Sequence, residues 1–461
     1  MSRFGSLVDP AASFVLVGAR IVDPQAGTDA VGDLAVVDGR LAAVEDAGPD
    51  VPRVDAGGLV AAPAFCDLHT HLRQPGDEAA ETIESGTQAA ARGGFATVCA
   101  MPNTDPPLDE PARVAFVQSC AHDAAARVRV VAAATVGRAG ERMAPIGELA
   151  EMGVAGFSDD GAAVASARLA RALLAYLAPL DLPLIEHAEE PSLADGALMR
   201  AGQTATRLGL AGWPPSAELT IVERDLALAA ETGARLHLTH LSTAAALDAV
   251  RRAKAAGVRV TCDVTPHHLT MTDAWVAGER RFAWEDADRD PSALAEPLDP
   301  TLAYDGRCRV NPPLPAREDA LALLASVADG TVDAIATDHA PHPPERKAVE
   351  FANAAPGMIG LETALSLGLS AVAAGRLDLA GLVAALSSRP AALIGERRSL
   401  APGEPADLVV FDAVARWRVE QAGLASRSAN TPLIGMELPG VVKLTVAGGR
   451  ITYLDGLSPL A

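Results

Sequence analysis

Lysine is nearly absent from this chain. Its 461 residues include 38 lysines and arginines together, and only Lys254, Lys347 and Lys443 are lysines. No lysine side chain is available before position 254. Basic charge is scarce as a whole: 38 Lys+Arg face 59 Asp+Glu, a formal net charge of −21. That balance excludes sequence-independent binding to nucleic-acid phosphates, which needs clustered cations. The five cysteines, at 66, 99, 120, 262 and 308, are odd in number and form no C-x-x-C pair, which argues against a disulfide framework or a cysteine-held zinc. Long apolar runs are missing, and an uncharged stretch such as Thr363–Gly375 is too short to span a bilayer. Met1–Asp9 has one Arg, one acidic residue and no apolar segment of signal length. The expectation is a cytoplasmic protein with no membrane or nucleic-acid partner. Apolar residues are plentiful at 49%, so a disordered chain is excluded as well.

Between residues 60 and 345 a rhythm repeats. A short β-branched, apolar run ends in polar residues, and an Ala/Leu/Arg-rich stretch follows. The strand-like runs are Leu59–His71, Phe95–Asn103, Val128–Gly137, Val154–Gly161, Leu182–Glu189, Arg235–Ser242, Arg259–His268 and Val332–His342. Helical spacing lies between them, as in Leu169, Leu173, Leu174 and Leu177. Eight β/α units predict an α/β fold closed into a (β/α)8 TIM-like barrel. A doubly wound open sheet is the alternative; polar residues at the C-terminal end of nearly every strand favour the barrel.

The two ends of the chain differ from this. Residues 13–60 and 403–456 carry short alternating runs with turn signals such as Asp38-Gly39 and Gly448-Gly449. They predict one small β domain assembled from 1–62 and 396–461, flanking a barrel over 63–395. A charged, Pro-containing stretch at about 276–306 breaks the rhythm and reads as an inserted surface loop, with a lid or subunit contact as the other reading. Residues 341–356 are a candidate mobile flap.

His69-Thr70-His71 ends the first barrel run, and alternate strand residues share a side, so both imidazoles can face one centre. Asp160 ends the fourth run, His187 the fifth, His240 the sixth and Asp338 the eighth. Four imidazoles and two carboxylates thus gather at the barrel face where active sites sit. These ligand types suit Zn²⁺ or a similar divalent ion. Six are too many for one tetrahedral site and right for two ions sharing a carboxylate and a hydroxide.

These residues carry a resemblance. With Asp67–Arg73, Met101–Thr104, Phe157–Gly161, His187–Glu189, His240–Thr243, Val264–Leu269, Asn311–Leu314 and Thr337–His342, the chain resembles the amidohydrolase superfamily, and within it the long-chain bacterial dihydroorotases. Gly357–Thr363 and Pro405–Leu408 match too, so the likeness spans the chain apart from the insertion. It implies that His69, His71 and Asp338 hold one ion and His187 and His240 the other, with Asp160 bridging; the ions would be Zn²⁺, one or two per chain. Many relatives bridge with a carboxylated lysine, which the lysine-free first half cannot supply. Asp159 is the neighbouring candidate; adjacent strand residues face opposite ways, and the family's spacing to His187 favours Asp160.

The activity implied is reversible cyclisation of N-carbamoyl-L-aspartate to L-dihydroorotate, in de novo pyrimidine (UMP) synthesis. Asp338 would be the general acid/base working with a metal-generated hydroxide. The segment His71 to Arg73, with Asn103, His342, Asn311 and the backbone of Gly357, would bind the substrate; a planar Arg fork suits its carboxylate. His237, His267, His268 and His339 read as packing or supporting residues, and His122 as a surface residue. The rivals are another cyclic amidohydrolase, of allantoinase or dihydropyrimidinase type, and a non-catalytic scaffold for aspartate carbamoyltransferase. A homo-oligomer, or assembly with that transferase, is the expected quaternary state.

Overall fold

Eight parallel strands lie side by side in chain order: Phe65–Thr70, Phe95–Ala100, Arg127–Ala133, Gly156–Ser158, Leu184–Glu186, Leu236–Leu238, Val260–Val264 and Ala334–Ile335. The computed structural model describes residues 12–285, 299 and 301–457. The last strand returns to the first. Thr70 bridges His339 in parallel, the His71 amide donates to the His339 carbonyl at 2.8 Å, and buried Asp67 accepts from the Thr337 amide at 2.9 Å. The sheet is therefore a closed barrel, and the open-sheet alternative falls. Each strand falls on one of the eight runs read from the sequence, the third starting one residue earlier at Arg127, and each is shorter than its run because the polar ends leave the ladder to form the site.

Residues from non-adjacent strands meet in one apolar cluster, Cys66, Leu68, Cys99, Val131, Ile185 and Ala334 among them, which only the barrel interior permits. Cys66 packs there as a small hydrophobe, and burial pushes its thiol up to about 12. Outside, the helices present their apolar stripes to the strands. Ser166 caps Ala167–Leu177 by accepting from the Leu169 amide, and Ala170, Leu173, Leu174 and Leu177 are buried. Burial of each leucine contributes roughly 1.5–3 kcal/mol.

Strands from both ends of the chain share a second, eight-stranded sheet. Val60–Pro63 is its seam: it runs antiparallel to Leu408–Phe411 and parallel to Arg20–Ile21. Its core includes Phe14, Leu16, Val36, Leu408 and Val446. The stretch read as a solvated insertion starts inside the protein instead: Trp275, Val276 and Ala283 are buried, and the Trp275 indole donates to the Arg281 carbonyl at 2.7 Å. Residues 286–298 and 300, the middle of that stretch, lie outside the described residues. No helix among the described residues is long and apolar enough to cross a membrane.

Candidate metal centre

Two groups of donor atoms converge at the C-terminal ends of the barrel strands: His69, His71 and Asp160, and Asp160, His187 and His240, all buried. Asp160 Oδ2 lies 3.3 Å from His69 Nε2 and 3.6 Å from His71 Nε2. Its Oδ1 lies 3.5 Å from His240 Nε2 and 3.7 Å from His187 Nδ1. The carboxylate thus gives one oxygen to each group. Asp338 Oδ1 joins the first, 2.9 Å from His71 Nε2 and 3.5 Å from His69 Nε2. Asp159 faces elsewhere, its carboxylate taken by the Thr135 amide at 2.9 Å and by the Thr135 hydroxyl.

The network behind the imidazoles decides which nitrogen faces inward. Asp263 is buried; burial would raise its carboxyl, but His237 and the His240 amide hold it below its ordinary value, so it only accepts. It takes the Thr239 hydroxyl at 3.0 Å, His237 Nε2 at 2.8 Å and the His240 amide at 2.7 Å. With its single hydrogen spent on Asp263, the Thr239 oxygen must accept from His69 Nδ1, 2.8 Å away. The lone pair of His69 is then on Nε2, aimed at the centre. Asn103 does the same for His71, with Oδ1 2.8 Å from Nδ1. Replacing Thr239 by Val removes this lock without changing volume, and is expected to weaken metal affinity or kcat/KM by about 10–100-fold. Calorimetric metal titration of the variant measures it; wild-type affinity and rate would show that the hydroxyl does not orient His69.

These donors fit a cation. His69 Nε2 and Asp160 Oδ1 are buried with no hydrogen-bond partner, although each faces groups of the other kind. The pull toward positive charge is strong. Burial lowers His69, yet Asp160 and Asp338 raise it to about 9. Burial likewise lowers His187, and Asp160 and Glu189 raise it to about 10. Conversely, burial would lift Asp160, but His69, His187 and His240 hold it well below the carboxylate range. Neutral imidazoles and carboxylates in such groups are the ligands of zinc and related divalent ions.

Strain marks the same place. Arg73, His240 and Asp338 have φ of 60°, 40° and 47°, a region non-glycine residues rarely occupy. Arg73 is half-buried, its Nε donating to the Pro341 carbonyl at 3.2 Å and its Nη2 3.4 Å from His342 Nε2. His342 Nε2 is also 2.8 Å from the Pro356 carbonyl. Burial, then Arg73, push this imidazole down to about 3, so it is neutral near pH 7.

The remaining residues singled out in the sequence sit as follows. Asn103 Nδ2 reaches Asp160 Oδ2 at 3.4 Å, so its amide supports two members of the first group. Asn311 Nδ2 is 3.3 Å from His187 Nε2 and 3.4 Å from Glu189 Oε1. Gly357 departs from the expectation that its backbone holds substrate amides. Its N–H already donates to the Arg309 carbonyl at 2.9 Å, and its carbonyl accepts from Lys347 Nζ at 2.9 Å and Asn430 Nδ2 at 3.1 Å. What the glycine supplies is space: its φ is +130°, and a Cβ there would lie 2.6 Å from Ala340 Cβ and 3.1 Å from His342 Nε2. His237 and His268 are buried supporting groups, His268 bonding Thr265 and the Pro312 carbonyl. His339 is buried against Glu81 at 3.3 Å.

Four supporting residues were not singled out from the sequence. Asp263 and Thr239 orient His69. Glu189 accepts the Trp213 indole at 2.8 Å behind His187. Arg138 donates to the carbonyls of Asp159 and Asp160 and so fixes the fourth loop. A charged residue inside an apolar strand, as Asp263 is in Val260–Val264, was the available signal.

A (β/α)8 barrel with paired His/Asp groups at its C-terminal face defines the class as metal-dependent hydrolases of cyclic amides. The fold agrees: the structure superposes on the L-hydantoinase (dihydropyrimidinase) of Arthrobacter aurescens with a TM-score of 0.81 at 23% identity, covering 97% of each chain, and on the dihydropyrimidinase of Brevibacillus agri with 0.77 at 19%, covering 96% of this chain and 95% of that one. The "Dihydro-orotase-like" family profile matches residues 58–246. The chain is 42% identical over 447 residues to a dihydroorotase of Pelotomaculum thermopropionicum, covering 96% of this chain and 98% of the relative. It is 43% identical over 445 residues to one of Anaeromyxobacter dehalogenans, covering 95% and 97%. The chain belongs to the dihydroorotase family.

Proposed function

We propose that the chain is a dihydroorotase that closes N-carbamoyl-L-aspartate to L-dihydroorotate and opens the ring in reverse, serving pyrimidine synthesis. The carrying observation is Asp160, which divides its two oxygens between two histidine groups beside a half-buried Arg73. His69, His71 and Asp338 would hold one Zn²⁺ and His187 and His240 a second, with Asp160 shared. Bound there, the ions supply a hydroxide at neutral pH and polarise the amide carbonyl.

The protein's own groups do the rest. Arg73 pairs with the substrate carboxylate, for which its fork is suited. Neutral His342 and the amides of Asn103 and Asn311 complete the polar wall and set the ring's orientation. Burial would lift the Asp338 carboxyl, but His71 and His69 beside it hold it ionised. It can therefore accept a proton at an Oδ in the ring-opening direction. It returns that proton to the ring nitrogen as the C–N bond breaks, and ring closure runs the same transfers backwards. Buried walls keep bulk water from competing.

The allantoinase or dihydropyrimidinase reading is weakened by Arg73, a half-buried guanidinium suited to a carboxylate that uncharged rings would not offer. Turnover of dihydroorotate and carbamoyl aspartate by the zinc-loaded protein tests the proposal. Hydrolysis of hydantoin or allantoin without turnover of dihydroorotate would replace it by the rival. A folded, metal-free and inactive protein would replace it by the scaffold.

A further inference from the structure

In a chain with three lysines, one is buried beside the substrate wall. Lys347, in the short helix Pro344–Lys347, is 5% exposed. Its Nζ donates to the carbonyls of Arg309 at 3.1 Å, Ala355 at 2.7 Å and Gly357 at 2.9 Å. Among the described residues no carboxylate pairs with it; nearby Asp305 is taken by Arg280 and Arg307 at 3.0 and 2.9 Å. Burial pushes the Lys347 ammonium down to about 7, and a buried ammonium without a counter-ion is costly to desolvate, so stability alone does not account for it.

Two of the three carbonyls, those of Ala355 and Gly357, bracket Pro356, and the third, that of Arg309, comes from a separate stretch of chain. Pro356 supplies the carbonyl that meets His342 Nε2 at 2.8 Å, and His342 lies 3.4 Å from Arg73 Nη2. Asn430 holds the same corner from the other side, its Nδ2 on the Gly357 carbonyl at 3.1 Å and its Oδ1 on the His342 amide at 3.0 Å. A tetrahedral ammonium can serve three acceptors around one point; a flat guanidinium cannot.

We propose that Lys347 is a positioning residue for substrate binding: it clamps Pro356–Gly357 so that His342 and Arg73 face the anionic end of the substrate, without itself touching the ligand. This rests on the dihydroorotase reading above. A cavity of about 390 Å³ lined by Arg307, His342, Lys347 and Asn430 adjoins the side chain, so a small amine can reach its place.

The test compares wild type, Lys347→Met, and Lys347→Ala with and without ethylamine, each zinc-loaded and checked for folding and metal content. Wild-type turnover of dihydroorotate is measured first; its absence overturns the dihydroorotase reading, and this inference with it. Given turnover, Lys347→Met is expected to raise KM for dihydroorotate about tenfold while kcat changes less than about threefold and metal content holds. In Lys347→Ala, ethylamine is expected to bring KM back toward wild type. KM within about twofold of wild type in a folded variant, or a fall in kcat at constant KM, would overturn the proposal. If Lys347→Met does not fold, the amine experiment decides: a raised KM restored by ethylamine supports the clamp, and a KM that ethylamine does not move refutes it.

Discussion

Changing Asp338 to asparagine lowers kcat for dihydroorotate at least about a thousandfold, within the usual 10²–10⁴ range for losing a general acid/base. The substitution keeps the shape and one oxygen, so the group can still lie 2.9 Å from His71. It loses the ability to take up and return a proton, together with one negative charge beside His69 and His71. With rates compared at saturating metal, both reaction directions should slow together, as microscopic reversibility demands. The residue's backbone argues that its placement is functional: at φ 47° it pays a conformational cost that aspartate's chemistry has to justify. Steady-state rates in both directions, with metal analysis, measure this. A variant within about tenfold of wild type would assign proton transfer to another group.

Changing Asp160 to alanine empties both halves of the centre at once. This carboxylate is the only described group whose two oxygens face His69 and His71 on one side and His187 and His240 on the other. Losing an outer partner of a metal ligand costs about 10–100-fold in affinity, so losing the shared ligand should exceed a hundredfold and leave no measurable turnover. His187 and His240 then lose the carboxylate that faces them both, while Asp338 still serves only His69 and His71, so the protein should also lose stability. Asp159→Asn is the control. Its carboxylate is bound to Thr135, and its loss should loosen the fourth loop without removing a donor. Equal metal loss in both variants would mean that loop geometry, not a bridging carboxylate, holds the ions.

Much of this architecture was legible in the residues. Parallel strands buried on both faces are short continuous apolar runs, and each of the eight runs overlaps a barrel strand. The donors were legible because a barrel collects the ends of its strands at one face, so His69, Asp160, His187, His240 and Asp338 needed only to end strands to meet. The absence of lysine before position 254 carried independent weight, since it removed the commoner bridge and left aspartate.

What was not legible depends on contacts between strands far apart in sequence. Thr239 lies 170 residues from His69, and nothing local shows that its hydroxyl is spent on Asp263. Gly357 was read as a substrate contact because its neighbourhood matches the family, but its backbone groups are taken by Arg309, Lys347 and Asn430. The stretch after Trp275 looked solvated because it is dense in charge. Arg280 in fact lies over the Trp275 ring at 5.2 Å and pairs with Asp305, which keeps its charge while its stem covers apolar surface.

If two metal-binding groups sharing Asp160 give this chain its proposed dihydroorotase activity, the protein stripped with a chelator should not open dihydroorotate, and titrating Zn²⁺ back should restore ring opening. The expected result is no turnover without metal, recovery that saturates at two equivalents or fewer, and no recovery in Asp160→Ala at any zinc concentration. Full turnover of dihydroorotate by the stripped protein, or zinc-restored activity in Asp160→Ala equal to wild type, would contradict it.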